Sequence, residues 1–396
     1  MFRWIAQTVA VTLLSIRTVP QRLGSSIVAI VGIAGVVVVF VAVLSIAEGF
    51  RAAMTEAGSP GRVMVMRSGA DSEMTSGLSG DSAETIKQAP GLLREENRPV
   101  ASSELFVIVD LNKRSKGTPA NVPLRGVEPV AFRVRDEVKI VEGRNFRFGT
   151  NEAIVGRAAT RQFAGVDLGS EFKSGQLTLK IVGIFESGGS VAETEIWCDS
   201  HLLQGVYRRG NSYQSVLALL DSPASFQVFK DWLTTNPALN VQVTRERDYY
   251  AAQSTTMTTL IRGVGYVIAG LMGIGAIFGA ILTMYTAVAS RTREIATLRA
   301  LGFNTFSVLF AVLGESVALA ALGGALGGIA AYLGFNGYQT STMNFQTFSQ
   351  VAFAFAVTPK LLAQGLFYAL IMGLVGGLLP AIRAARLPVA SALREL

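Results

Sequence analysis

The chain has 396 residues, 50% of them hydrophobic and only 16% charged, a balance that excludes an ordinary soluble globular protein and places the apolar excess in discrete spans. The net charge of +7 does not mark a nucleic-acid binder: residues 48–262 carry 25 basic and 25 acidic side chains, and the surplus lies in three short segments elsewhere. Cys198 is the one cysteine, which excludes an intrachain disulfide and leaves the large polar segment to be held by its own core.

In chain order, Ile5, Val9, Leu13 and Ile16 recur at helical spacing beside Gln7, Thr8, Thr12 and Ser15. This predicts an interfacial helix over residues 1–20, ended by Pro20. Residues 23–47 are free of charge and long enough to cross the ~30 Å hydrocarbon core of a bilayer. Ser45 and Ala47 stand at cleavage-like spacing, but the apolar run far exceeds that of a signal peptide, so the span is expected to be retained. Helix formers continue past Ala47 to Ala57, and residues 245–262 also read as helix, which together suggest a stalk. Between them, strands are expected near 63–66, 105–110, 122–126, 153–155, 177–185, 215–220 and 240–244. Helices are expected after Ser82, over 200–207 and over 224–234. The β-rich stretch 127–199 reads as a subdomain inserted into an α/β core.

Three further spans follow, over 263–290, 307–334 and 361–382, with residues 335–360 expected as a short external loop and 383–396 as a tail. Arginines mark one side of the membrane. Arg3, Arg17 and Arg22 precede the first span, Arg291, Arg293 and Arg299 separate the second and third, and Arg383, Arg386 and Arg394 follow the fourth. By the positive-inside rule these segments and both termini are cytoplasmic, and residues 48–262 form an extracytoplasmic domain. The expected fold is therefore a membrane protein of four transmembrane α-helices with a large extracytoplasmic α/β domain. Gly275 and Gly279, Gly323 and Gly327, Gly324 and Gly328, and Gly373 and Gly377 each stand four apart, spacing that lets helix backbones approach closely. Packing within one chain is the preferred reading, with an intersubunit interface as the alternative.

Catalytic, cofactor-binding and metal residues are not found. There is no Gly-x-x-x-x-Gly-Lys-Ser/Thr loop to cradle a triphosphate. Cys198 and His201 lack the second ligand pair of a zinc site, and Asp199 beside them reads as a helix N-cap. Glu315 is the one ionisable residue inside a span; structural pairing is preferred to a proton relay. What remains is the turn between the second and third spans. There Arg291, Arg293, Glu294 and Arg299 alternate with Ile295, Leu298 and Leu301 before Gly302. This is an amphipathic helix able to anchor on a membrane or dock in a partner's groove.

At this turn the sequence SRTREIATLRALGF (290–303) resembles the ABC permease superfamily that includes MacB, LolC, LolE and FtsX. The likeness continues through GES (314–316), GGALGG (323–328) and GGLLPAIRAARLPVASALREL (376–396), and outside the membrane through VEGRNF (141–146), EAIVGRAATRQF (152–163) and LKIVGIFESGG (179–189). The resemblance implies that residues 291–303 form a coupling helix touching a separate ATPase subunit, which would hold the ATP and Mg. It implies two permease chains, an inner-membrane location, and motion passed through the first and second helices to the external domains to export or extract a substrate. A periplasmic adaptor and outer-membrane channel are further implied partners. Two rival readings stay open: an FtsX-like signalling subunit that activates a periplasmic partner, and a membrane-anchored receptor without an ATPase.

Overall fold

The computed structural model describes residues 23–56 and 58–388. The interfacial helix expected over 1–20 and the tail beyond 388 lie outside the described residues. In chain order the main helices are α1 (Leu23–Glu56), α2 (Gly80–Lys87), α3 (Ser200–Val206), α4 (Phe226–Thr235), α5 (Glu246–Ala289), α6 (Thr292–Ala300), α7 (Thr305–Phe335) and α8 (Pro359–Ala385). The main strands are β1 (Arg62–Arg67), β2 (Ala101–Asn112), β3 (Pro119–Val127), β4 (Lys139–Gly143), β5 (Glu152–Gly156), β6 (Glu171–Ser174), β7 (Leu177–Glu186), β8 (Ile196–Asp199), β9 (Ser215–Leu219), β10 (Val241–Arg245), β11 (Gln339–Asn344) and β12 (Ser349–Ala354). The chain divides into two units: a helical one made of the described residues up to Ala47, Leu260–Tyr338 and Ala356 onward, and an α/β one made of Glu48–Thr259 and Gln339–Phe355.

In the helical unit α1, α5, α7 and α8 are each long and apolar enough to cross a membrane. α5 runs for 44 residues without a break, about 66 Å at the α-helical rise and roughly twice the hydrocarbon thickness. α8 starts where Thr358 accepts a hydrogen bond from the Leu361 N–H and Pro359 takes the first turn, a position where its missing N–H costs nothing. Small residues decide the packing. A Cβ on Gly323 would stand 2.8 Å from the Ile30 carbonyl oxygen, one on Gly327 2.6 Å from that of Ala34, and one on Gly373 2.4 Å from the Ala320 Cβ. Backbone contact of this kind replaces the hydrophobic drive that is missing between helices in lipid.

In the α/β unit, β1–β10 form one sheet in the order β10-β1-β9-β2-β3-β8-β5-β7-β4, with β6 paired to β7. The pairs β3–β8 and β5–β7 are parallel and the others antiparallel. Strands of the β-rich stretch extend the core sheet through the register Ile196↔Leu124, while Phe146, Ile154, Phe185 and Trp197 add a second small core. The main core gathers Val63, Leu105, Leu124, Val155, Ile181 and Val216 with Phe229 and Leu233 of α4. Where residues 335–360 were expected as a loop, 339–354 instead pair as the hairpin β11–β12, with Gln339 opposite Ala354. Phe353 meets Phe50 edge-on at 5.6 Å. Its first strand, QTSTMN, has no apolar alternation, so its pairing comes from its neighbours and not from its own pattern.

Candidate functional site

The turn between α5 and α7 is built by local backbone chemistry. Arg291 takes the N-cap position of α6 without a side-chain cap. At the other end, Gly302 has φ +92°, its N–H donates to the Arg299 carbonyl, and the Phe303 N–H donates to the Leu298 carbonyl. That is a Schellman closure, which needs the left-handed conformation glycine adopts freely. Asn304 then accepts from the Phe306 N–H to start α7. The segment between α5 and α7 is thus a nine-residue helix with defined ends.

Its two faces differ. Arg291 and Ile295 are each 7% exposed and Ala296 is fully buried, whereas Leu301 is 73% exposed. Arg293, Glu294, Thr297, Ala300 and Gly302 are also exposed, and Leu298 and Arg299 are half-buried. Arg291 Nη1 donates to Glu315 Oε2 of α7 at 2.9 Å. Arg299 Nη1 donates to the Leu387 carbonyl oxygen beyond α8. Ile295 packs with Val288, Val308, Val312 and Ala384. Of the eight residues singled out for partner contact, Arg291 and Ile295 are therefore engaged inside the chain, because a carboxylate and an apolar cluster face them. The surface they were expected to offer is carried by Arg293, Glu294 and Leu301. Glu315, 5% exposed, has the arginine partner that a carboxylate in a span needs.

The glycine pairs also separate. Gly323, Gly324, Gly327, Gly328, Gly373 and Gly377 each abut a neighbouring helix of the chain, Gly377 at 2.6 Å from the Ser316 Cβ. Ser316 Oγ donates to the Gly373 carbonyl at 2.7 Å. Around Gly275 and Gly279 an added Cβ would meet nothing within 4 Å, so among the described residues these two do not serve packing within the chain. Gly265 and Gly376, which the four-residue spacing does not single out, do serve it: their Cβ positions lie 2.8 Å from Val43 Cγ1 and 2.7 Å from the Ala280 Cβ.

In the α/β unit a buried ionic network surrounds the start of α5. Arg125 donates to Glu195 Oε2 at 2.7 Å, to Glu73 Oε1 at 2.7 Å and to Glu104 Oε2 at 2.8 Å. Arg135 donates to Glu104 Oε1 at 2.6 Å. Arg62 donates to Glu137 at 2.6 Å and to Glu246, the first residue of α5, at 2.6 Å. Trp197 Nε1 and Ser215 Oγ donate to Glu195 and Glu73 respectively. Burial works against the Arg125 charge, but Glu195 and Glu73 overcome it and hold its pKa well above the ordinary guanidinium value. Burial likewise favours neutral Glu104, yet Arg135 and Arg125 hold it below the usual carboxylate range. The hairpin joins α5 through Asn344 Nδ2, which donates to Gln253 Oε1 at 2.8 Å, and Thr194 Oγ1 accepts from the Ala352 N–H at 3.0 Å. A cavity of about 20 Å³ lined by Glu73, Arg125, Gln253 and Asn344 lies among them, room for a single water. No sequence signal announces this network, because its members are scattered from Arg62 to Glu246.

Cys198 is buried, its thiol pKa pushed up by burial and then by Asp199. Asp199 caps α3 by accepting from the His201 N–H, and the imidazole is mostly solvent-exposed.

Two family models match the chain: the MacB-like periplasmic core domain over residues 26–236 and the FtsX-like permease C-terminal region over 266–389. A macrolide export ATP-binding/permease protein MacB of Paracoccus denitrificans is 27% identical over 99% of this chain, which spans 59% of that relative's length. The uncharacterised ABC transporter permease YvrN of Bacillus subtilis is 34% identical over 29% of this chain and 26% of its own. Among solved structures, the extracellular domain of the noncanonical ABC-type transporter YknZ from Gram-positive bacteria matches 46% of this chain and 99% of its own, with 15% identity and a TM-score of 0.35. The periplasmic region of MacB from Actinobacillus actinomycetemcomitans matches 50% of this chain and 95% of its own, with 10% identity and a TM-score of 0.38. With a core-domain model over more than half its length and a permease model over most of the remainder, the chain belongs to the MacB/FtsX-like family of ABC transporter permeases.

Proposed function

We propose that this chain is the non-catalytic permease subunit of an inner-membrane ABC transporter that works by mechanotransmission. A separate cytoplasmic ATPase, holding ATP and Mg, engages α6, and two permease chains pair across the membrane. Closure of the ATPase pair moves α6; α1 and α5 carry the motion to the extracytoplasmic domains, where a substrate is exported or extracted. The observation that carries this reading is α6 itself, a capped helix between two spans with an apolar face held inside and Arg293, Glu294 and Leu301 turned outward. The unbroken length of α5, which begins at the buried Arg62–Glu246 pair, supports the lever. A rigid element anchored by a buried ion pair passes on displacement instead of absorbing it.

The test is purification of the full chain in mild detergent and assay of ATP turnover by whatever copurifies. Leu301→Asp should release the ATPase while leaving membrane insertion intact. Unchanged ATPase association and turnover in that variant would defeat the coupling role of α6. An ATPase accompanied by an adaptor and outer-membrane channel would favour export, and one accompanied by a cell-wall hydrolase would favour signalling.

A further inference from the structure

We infer that Glu315 and Arg291 form a positioning pair that fixes the coupling helix to α7, so that a push on α6 is delivered to α7 instead of bending the turn. The inference rests on the functional reading above and names the residues that would make it work. α6 is joined to α5 only through Ser290 and Arg291 and to α7 only through the turn Leu301–Asn304, which by themselves would let it swivel. Two polar contacts prevent this. At its first end the buried Arg291 guanidinium meets the Glu315 carboxylate, nearly three turns into α7, at 2.9 Å. At its last end Arg299 Nη1 donates to the Leu387 carbonyl beyond α8. Between them Ile295 lies in one apolar cluster with Val308 and Val312 of α7 and Ala384 of α8, so the inward face is enclosed and the outward face is left for a partner.

The charge is better satisfied by Glu315 than by the nearer neighbour in sequence. Glu294 lies 3.9 Å from Arg291 Nε and its side chain is 66% exposed, against 6% for Glu315. Screening by water leaves the exposed contact weak, whereas a buried guanidinium facing a carboxylate is held strongly because separation would strand both charges. A lysine could supply the charge but not the planar set of donors. Arg291 and Glu315 thus act through the position of α6, and neither needs to touch the ATPase.

The experiment uses the full chain, the ATPase that copurifies with it, and Mg-ATP turnover in lipid nanodiscs. Glu315→Gln and Arg291→Lys are compared with the swap Arg291→Glu/Glu315→Arg, with monodispersity checked for each. Docking is read as copurified ATPase per permease, and coupling as the permease-dependent change in turnover. Both single variants should keep docking, and Glu315→Gln should lose coupling by about thirtyfold or more, as expected when one partner of a buried charge pair is removed. The swap should recover most of it. Unchanged coupling in Glu315→Gln overturns the inference. So does a swap no better than the single variants, which would mean Arg291 contacts the ATPase directly. If no ATPase accompanies the wild-type chain, the functional reading itself fails and takes this role with it.

Discussion

Replacing Arg125 by methionine is expected to destabilise the extracytoplasmic unit more than any substitution of a surface charge, and the structure sets the size. Arg125 is 1% exposed and donates five hydrogen bonds to Glu73, Glu104 and Glu195. In Arg125→Met, Glu104 keeps Arg135, which gives it bonds of 2.6 and 3.0 Å. Glu73 and Glu195 are left with neutral donors in a buried site. A broken buried pair of this kind typically costs about 3–5 kcal/mol. For a unit of this size that lowers Tm by ~6–20 °C at ~2–4 °C per kcal/mol.

The assay is tryptophan emission of the full chain in mild detergent during heating, because Trp197 is buried with its Nε1 on Glu195. A midpoint within about 2 °C of wild type would refute the reasoning.

Glu104, held below the usual carboxylate range by Arg135 and Arg125 after the opposing effect of burial, contributes stability that is complete above the unfolded carboxylate pKa and lost as pH falls through the lowered folded value. Glu104→Gln should therefore flatten the acid limb of a Tm-against-pH curve, and an unaltered limb would count against the network. Gly373→Leu places a side chain where a Cβ already stands 2.4 Å from Ala320 and should cost about 1–3 kcal/mol or more through overpacking, read as loss of monodisperse protein. Gly275→Leu, with open space around it, should leave the folded single chain as it is. Cysteine at Thr150 should react with an impermeant maleimide from outside intact cells and cysteine at Arg293 should not; the native buried Cys198 adds little background. The reverse labelling pattern would invert the topology.

Much of the fold was readable because membranes impose simple rules. Four charge-free or nearly charge-free runs identify the spans without any knowledge of contacts, and arginines in three short segments predict an orientation. The strands of the sheet were readable for a similar reason: Leu177–Glu186 alternates buried and exposed side chains over its first residues, a local pattern that pairing follows. The short strand Gln339–Asn344 was not readable, since all its residues but Met343 are polar and its place is set by Ser349–Ala354. Spacing likewise named Gly275 and Gly323 alike, although only the second has a helix against it.

The sequence by itself determined that the chain crosses a membrane, carries one large mixed domain, and places an amphipathic basic turn between its second and third spans. Those properties follow from composition and periodicity along a single line of residues. Only the tertiary structure decided which side of that turn is inside the protein, because Arg291 meets Glu315 from 24 positions away. It also decided that Arg62 pairs with Glu246, 184 positions away, at the first residue of α5. An ion pair depends on distance in space, and separation along the chain carries no record of it.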